Sequence, residues 1–159
     1  MNVLEHLEPK SVFRFFEEMC AIPHGSRNTK AVSDWCADFA RARGLEYHQD
    51  GDNNIIIIKE AAPGYEAAPP VILQGHLDMV CEQTADCQKD MSREGLDLAV
   101  DGDFVYAKGT TLGGDDGIAV AMALALLDAE GLPHPRLEAV FTVDEEIGLL
   151  GAASIDVTP

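Results

Sequence analysis

The stretch from Val71 to Val80 constrains the fold of this chain most strongly. It places an apolar run directly before Gly-His-Leu-Asp, which predicts a buried strand with polar side chains at its C-terminal tip. His76 and Asp78 are two residues apart, so on an extended strand their side chains point to the same side. This pairing suits a metal-ligating histidine whose tautomer is fixed by a carboxylate. For the H-x-D spacing alone, a hydrogen-bonded polar pair with no metal is the better explanation of His76 and Asp78.

Two further acidic clusters follow predicted structural elements. Asp115 and Asp116 stand at the start of a helix, and Asp144, Glu145 and Glu146 end a strand. Each has a simple alternative, since acidic residues stabilise helix N-termini and also occur in solvated turns. Together with His76 and Asp78, however, these carboxylates would lie at one edge of the sheet. They would repel one another there unless a cation were bound. A mixed nitrogen and oxygen donor set suits Zn²⁺ or a similar divalent ion.

Such carboxylates can also bridge two metal ions that activate a water molecule, with one more carboxylate to take its proton. Glu145 and Glu146 can divide these duties, because neighbours in an extended segment project differently.

The Gly-rich loop from Gly109 to Gly117 offers a rival interpretation as a phosphate cradle. It lacks the Gly-Lys-Ser/Thr ending of a P-loop and carries two aspartates that would repel phosphate.

Hydrophobic periodicity and turn signals predict alternating helices and strands. Ser26 is predicted to cap the second helix, and Asp-Gly at 101–102 to turn a hairpin. The expected class is α/β, a three-layer sandwich with a mostly parallel central sheet flanked by helices. The predicted helices cover 9–20, 26–44, 115–130 and the start of 147–155, and the predicted strands cover 45–49, 54–59, 98–106 (as a hairpin) and 137–143, with a further strand that begins at 71 within 71–80.

Chain length and net charge limit the number of domains and the kinds of binding partner. The 159 residues suit one domain, and the formal net charge of −17 disfavours nucleic acid as a partner. The four cysteines form no C-x-x-C pair, which indicates scattered thiols in a reducing compartment, although Cys81 and Cys87 could bridge in a secreted protein. The N-terminus carries no signal-peptide pattern, and the apolar run from Ile118 to Leu127 is too short to span a bilayer. A cytoplasmic protein without a membrane partner is expected.

Three motifs resemble a known family in order and spacing. They are residues 74–80 (QGHLDMV), 110–117 (TTLGGDDG) and 142–148 (TVDEEIG). The chain is similar to the co-catalytic zinc exopeptidases, which include carboxypeptidase G-type, tripeptidase and aminoacylase enzymes. Within them it looks most like the aminoacyl-histidine dipeptidases, which hydrolyse carnosine-like Xaa-His dipeptides, and Ile22 to Ser26 matches an Ile-Pro-x-x-Ser stretch found there.

The resemblance implies a site with two zinc ions, for which Co²⁺ or Mn²⁺ could substitute. His76 would ligate one zinc and Asp78 would orient it. Asp115 would bridge both zincs, with a cis peptide bond to the next residue. Glu146 would ligate the second zinc, and Glu145 would be the general base for the water that attacks a small peptide substrate. No other cofactor is implied.

The resemblance also implies parts that this sequence does not contain. Family members have a further carboxylate ligand after the Glu-Glu pair, a late histidine ligand and an inserted lid domain that often dimerises. Residues 1–159 are therefore expected to be the N-terminal part of the catalytic domain, inactive in isolation, from a full-length protein that forms a homodimer. The alternatives are a deacylase or carboxypeptidase of the same fold, or a non-catalytic metal-binding fragment.

Overall fold

The computed structural model describes residues 2–158 and contains four helices and six strands among them. In chain order these are α1 (Lys10–Cys20), α2 (Lys30–Ala42), β1 (Glu46–Gln49), β2 (Ile55–Lys59), β3 (Val71–His76), β4 (Leu98–Asp101), β5 (Phe104–Ala107), α3 (Gly114–Asp128), β6 (Leu137–Thr142) and α4 (Leu150–Ser154). The predicted α/β class and the predicted Asp-Gly hairpin, formed by β4 and β5, are confirmed.

The main sheet is mixed, so the prediction of a mostly parallel sheet is wrong. Its strand order is β1-β2-β6-β3, and only β3 and β6 are parallel. The reason lies in the turn between β1 and β2, where the Asp50 carboxylate accepts the N–H groups of Asp52 and Asn54 and reverses the chain. Parallel neighbours need a much longer crossover, so this turn makes the two strands antiparallel.

The core forms between one face of the sheet and the three long helices. Ile55 and Ile57 belong to the same buried cluster as the apolar residues of α1, α2 and α3. Ile56 and Ile58 point to the opposite face and are also buried, which confirms the prediction that this strand is covered on both sides. On that face Ile56 borders a small cavity together with Ile155, from the segment after α4.

Strand β3 lies at the edge of the sheet, and this corrects the prediction that the whole strand is buried. Val71 is 41% exposed and Ile72 is 63% exposed, whereas Gly75 and His76 are buried. Only part of the apolar run of β3 therefore lies in the core. Its last two residues are buried where the strand tip meets α3 and the end of β6.

None of the helices within residues 2–158 is both long enough and apolar enough to cross a membrane.

Lys59, at the end of β2, caps the C-terminus of α3. Its Nζ donates to the carbonyl oxygens of Leu127 at 3.0 Å and Ala129 at 2.7 Å. These carbonyls lack partners within the helix, and a cation is favoured at the negative end of the helix dipole.

We expect Lys59→Met to lower the free energy of unfolding by about 1–2 kcal/mol, because the variant keeps the side-chain length and loses the donor. Urea denaturation monitored by circular dichroism measures this change. Lys30→Met is the control, since the Lys30–Asp34 ion pair is exposed and such pairs contribute about 0–1 kcal/mol. Equal losses in the two variants would contradict the capping role.

Candidate metal centre

His76 is fixed by the chain that follows it. Its ring Nδ1 lies 2.9 Å from the backbone oxygen of Asp78 and 3.5 Å from the Asp78 carboxylate. With a proton on Nδ1, that nitrogen donates to Asp78 and the lone pair of Nε2 points away from it. The His76 side chain is only 7% exposed. The ring is therefore held in an orientation that presents Nε2 as a ligand.

The Asp78 carboxylate joins three separate segments of the chain. Its side chain is fully buried. It accepts hydrogen bonds from the Ser26 hydroxyl at 2.7 Å, the Glu145 N–H at 3.0 Å and the Glu146 N–H at 3.3 Å. Together with the His76 ring, these donors compensate a charge that would otherwise be costly to bury.

The same contacts shift the pKa values of both partners. Burial would raise the pKa of Asp78, but the hydrogen bonds from His76, Ser26 and the two glutamate amides outweigh it and lower that pKa to about 2. The hydrogen bond to Asp78 raises the pKa of His76 to about 9 against the opposing effect of burial, with a smaller contribution from Asp115. In the metal-free chain His76 and Asp78 therefore form an ion pair at neutral pH.

Asp115 reaches the pair from the first turn of α3. Its Oδ1 lies 3.1 Å from His76 Nε2, and its side chain is 87% exposed. The peptide bond to Asp116 is cis, as the family resemblance implied. Gly113, just before, has a φ of +68°, and a Cβ there would lie 2.9 Å from the Met79 sulfur. The approach of this loop to the segment after β3 therefore requires glycine.

Glu145 and Glu146 complete the cluster from the segment after β6. One ligand atom each from His76, Asp115 and Glu146 lies within 4.8 Å of the other two. The Glu145 carboxylate lies 3.8 Å from His76 Nε2 and is partly exposed. The parallel pairing of β3 with β6 explains the convergence, since the carboxyl ends of both strands meet at the same edge of the sheet.

Asp116 lies next to this cluster and outside the group of three. Its carboxylate covers Gly75, where a Cβ would lie only 2.9 Å away. Burial raises the pKa of Asp116, and the nearby His76 opposes that shift. Two aspartate carboxylates at the start of α3 would repel phosphate, and both face His76. The geometry therefore favours the metal interpretation over the phosphate cradle.

Sequence reasoning missed the role of Ser26. The helix that follows begins at Lys30 with Thr29 as its N-cap residue, so the prediction that Ser26 caps α2 is wrong. Ser26 instead contacts a carboxylate 52 positions later in the chain. A serine before a helix carries no signal in the sequence for such a distant partner.

A cavity of about 700 Å³ lies at the opposite end of the sheet, beside the C-terminus of α3. His134 lines it and bonds the backbone oxygen of Pro135, far from the cluster. A smaller cavity of about 340 Å³ adjoins the cluster and is lined by Ser26, Met79 and Ile147 among others. The cavity size therefore does not mark the site, and the side-chain chemistry does.

The donor set fits a divalent transition metal. It combines one imidazole nitrogen, whose other ring nitrogen is already bonded, with two carboxylates from different elements. Imidazole and carboxylate ligands of this kind suit Zn²⁺ and similar ions.

We expect the metal-free chain to be most stable between roughly pH 4 and pH 6.5, because Asp78 and His76 are then charged in the unfolded chain as well, and the folded state gains the full contribution of their ion pair. The contribution of Asp78 is present above its ordinary pKa of 3.8 and is lost as the pH falls through about 2. The contribution of His76 is present below 6.5 and is lost as the pH rises through about 9.

Urea unfolding in chelator across this pH range measures the effect. The difference between the unmodified chain and Asp78→Asn should reach about 2 kcal/mol in the window and shrink on both sides. A difference that does not vary with pH would contradict the ion pair.

Comparisons with known proteins agree with the three motifs. The model of peptidase family M20/M25/M40 matches residues 72–156. The chain is 38% identical to the cytosol non-specific dipeptidase of Escherichia coli over 96% of its own length and 31% of that protein. It therefore spans about a third of the length of this relative.

Solved structures show the same architecture. The aminoacylhistidine dipeptidase of Vibrio alginolyticus matches with a TM-score of 0.93 and 36% identity, covering 96% of this chain and 31% of that one. A tripeptidase of Staphylococcus aureus matches with a TM-score of 0.74 over 92% of this chain and 39% of its own length, and at 22% identity it supports the fold alone. The chain belongs to peptidase family M20/M25/M40.

Proposed function

We propose that this chain supplies metal-binding and proton-transfer groups for the metal-dependent hydrolysis of small peptides. The observation that carries the proposal is the convergence of His76, Asp115 and Glu146, whose ligand atoms lie within 4.8 Å of one another. Membership of a peptidase family supports the reaction class.

His76, Asp115 and Glu146 would hold the metal. Asp115 is the candidate bridge between two zinc ions, because its carboxylate is the most exposed of the three and has an oxygen free to face a second ion. Co²⁺ or Mn²⁺ would suit the same donors. When bound, such ions polarise a peptide carbonyl and make a water molecule more acidic.

Glu145 is the candidate general base. Its carboxylate lies near the metal-facing nitrogen of His76 and belongs to no other ion pair among residues 2–158. It would take a proton from the attacking water and pass it to the leaving amine. Asp78 would act through His76, by holding the ring tautomer, and through the backbone of both glutamates.

The proposed substrates are dipeptides, with Xaa-His (carnosine-like) dipeptides first. The name of the structurally similar Vibrio enzyme supports this preference, and the name of the E. coli relative supports a wider range of dipeptides. That relative also suggests a cytosolic location. A homodimer is proposed for the full-length protein, with further ligands and a lid supplied by segments outside the 159 residues.

The first test is metal binding by the chain itself. We expect His76→Ala and Asp115→Asn each to weaken Zn²⁺ binding at least about tenfold in competition with a fluorescent chelator, because each removes one ligand. Asp103→Asn is the control, as Asp103 is an exposed aspartate of the β4–β5 turn. Unchanged Zn²⁺ affinity in both ligand variants would overturn the metal site.

The second test is turnover by the protein as its gene encodes it. Glu145→Gln should lower the rate of dipeptide hydrolysis about 10²-fold or more, the range expected for loss of a general base, while Zn²⁺ content stays unchanged. β-Alanyl-histidine and a dipeptide without histidine are the substrates compared. If the unmodified protein binds zinc but hydrolyses neither dipeptide, the proposed peptidase activity is wrong and the protein is a metal-binding module.

A further inference from the structure

The loop between α1 and α2 is attached to the segment that carries Asp78. Met79 N–H donates to the His24 carbonyl at 3.1 Å, and Ser26 N–H donates to the Met79 carbonyl at 3.3 Å. Gly25 forms an isolated parallel bridge with Met79. A Cβ on Gly25 would lie 2.6 Å from the Cys81 sulfur, so a larger residue there would require the exposed Cys81 side chain to move.

The same loop also contacts the segment that carries the two glutamates. The backbone N–H of Arg27 donates to Asp144 Oδ1 at 2.6 Å. Arg27 has a φ of +65°, which turns the chain directly after Ser26. The backbone of the loop is therefore fixed on both sides of Ser26, and its hydroxyl is aimed at Asp78 at 2.7 Å.

We propose that Ser26 is a positioning residue of the metal centre, which holds the Asp78 carboxylate in the orientation that places His76, Glu145 and Glu146. The effect of Ser26 on metal binding rests on the proposed function. Its effect on the position of Asp78 rests on the hydrogen bonds described above. The residue comes from a loop to which the sequence assigned no part of the site.

The hydrogen-bond inventory of Asp78 explains why one hydroxyl matters. Oδ1 accepts the Glu145 N–H and lies near the His76 ring, whereas Oδ2 accepts the Ser26 hydroxyl and the longer bond from the Glu146 N–H. Without Ser26, Oδ2 keeps only the 3.3 Å bond. A buried carboxylate that loses its shortest bond will rotate towards its remaining donors, and the amide bonds that hold both glutamates change with it.

A serine that only stabilises the fold would behave differently. Its loss would lower the free energy of unfolding without changing the metal affinity of the folded chain or the surroundings of the two glutamate amides. The two roles are therefore separable by measurements on the folded state.

The experiment compares Ser26→Ala, Ser26→Thr and Ser92→Ala. Threonine keeps the hydroxyl, and Ser26 borders a cavity of about 340 Å³. Ser92 is the matched control, because it borders the same cavity and its hydroxyl also donates to a carboxylate, but to the exposed one of Asp90 at 2.5 Å and not to Asp78.

We expect Ser26→Ala to weaken Zn²⁺ binding about 10–100-fold, the range typical for partners that orient metal ligands. In the metal-free chain it should also shift the amide NMR resonances of Glu145 and Glu146. Ser26→Thr and Ser92→Ala should leave both readouts close to those of the unmodified chain. If Ser26→Ala lowers only the unfolding midpoint and leaves affinity and resonances unchanged, the positioning role is wrong.

The amide resonances keep this test separate from that of the proposed function. If the unmodified chain fails to bind Zn²⁺, the metal proposal fails. The resonances of Glu145 and Glu146 in Ser26→Ala then still decide whether Ser26 positions Asp78.

Discussion

The buried carboxylate of Asp78 is the constraint on which the rest of the site depends. A carboxylate without solvent contact is expensive unless donors surround it, and here the donors come from three segments far apart in the sequence. Folding must bring the α1–α2 loop, the tip of β3 and the segment after β6 together to satisfy this one group. The arrangement of the candidate metal ligands follows from that requirement.

The sheet explains why these segments can meet. Within residues 2–158, β3 and β6 are the only parallel pair of the main sheet, so their carboxyl ends share one edge, and the N-terminal end of α3 reaches the same edge. The antiparallel strands β1 and β2 lie on the other side of β6 and contribute core rather than ligands. The parallel pair thus carries the candidate ligands of the sheet, and β6 also contributes Leu137, Ala139 and Phe141 to the core.

The sequence predicted the elements better than their arrangement. Periodicity and turn residues located the helices and the hairpin because these depend on local chemistry, and the H-x-D spacing predicted the contact between His76 and Asp78. The edge position of β3 was not predictable from its apolar run, since Val71 and Ile72 look the same whether or not another strand covers them. The hydrogen bond of Ser26 was missed for a related reason: it depends on the tertiary fold, and nothing near Ser26 in the sequence specifies it. The roles assigned to the ligands through family resemblance stay predictions.

The attachment of both glutamates to one carboxylate has a consequence for motion. Glu145 and Glu146 follow Asp144, whose φ is +54°, and their N–H groups bond the two oxygens of the same side chain. His76 stays with the strand and Asp115 with the helix if this short segment opens. A single local fluctuation would then remove the candidate base and one candidate ligand in the same event. Opening of this segment would therefore couple the loss of the two groups, whereas the ligands on β3 and α3 would stay in place.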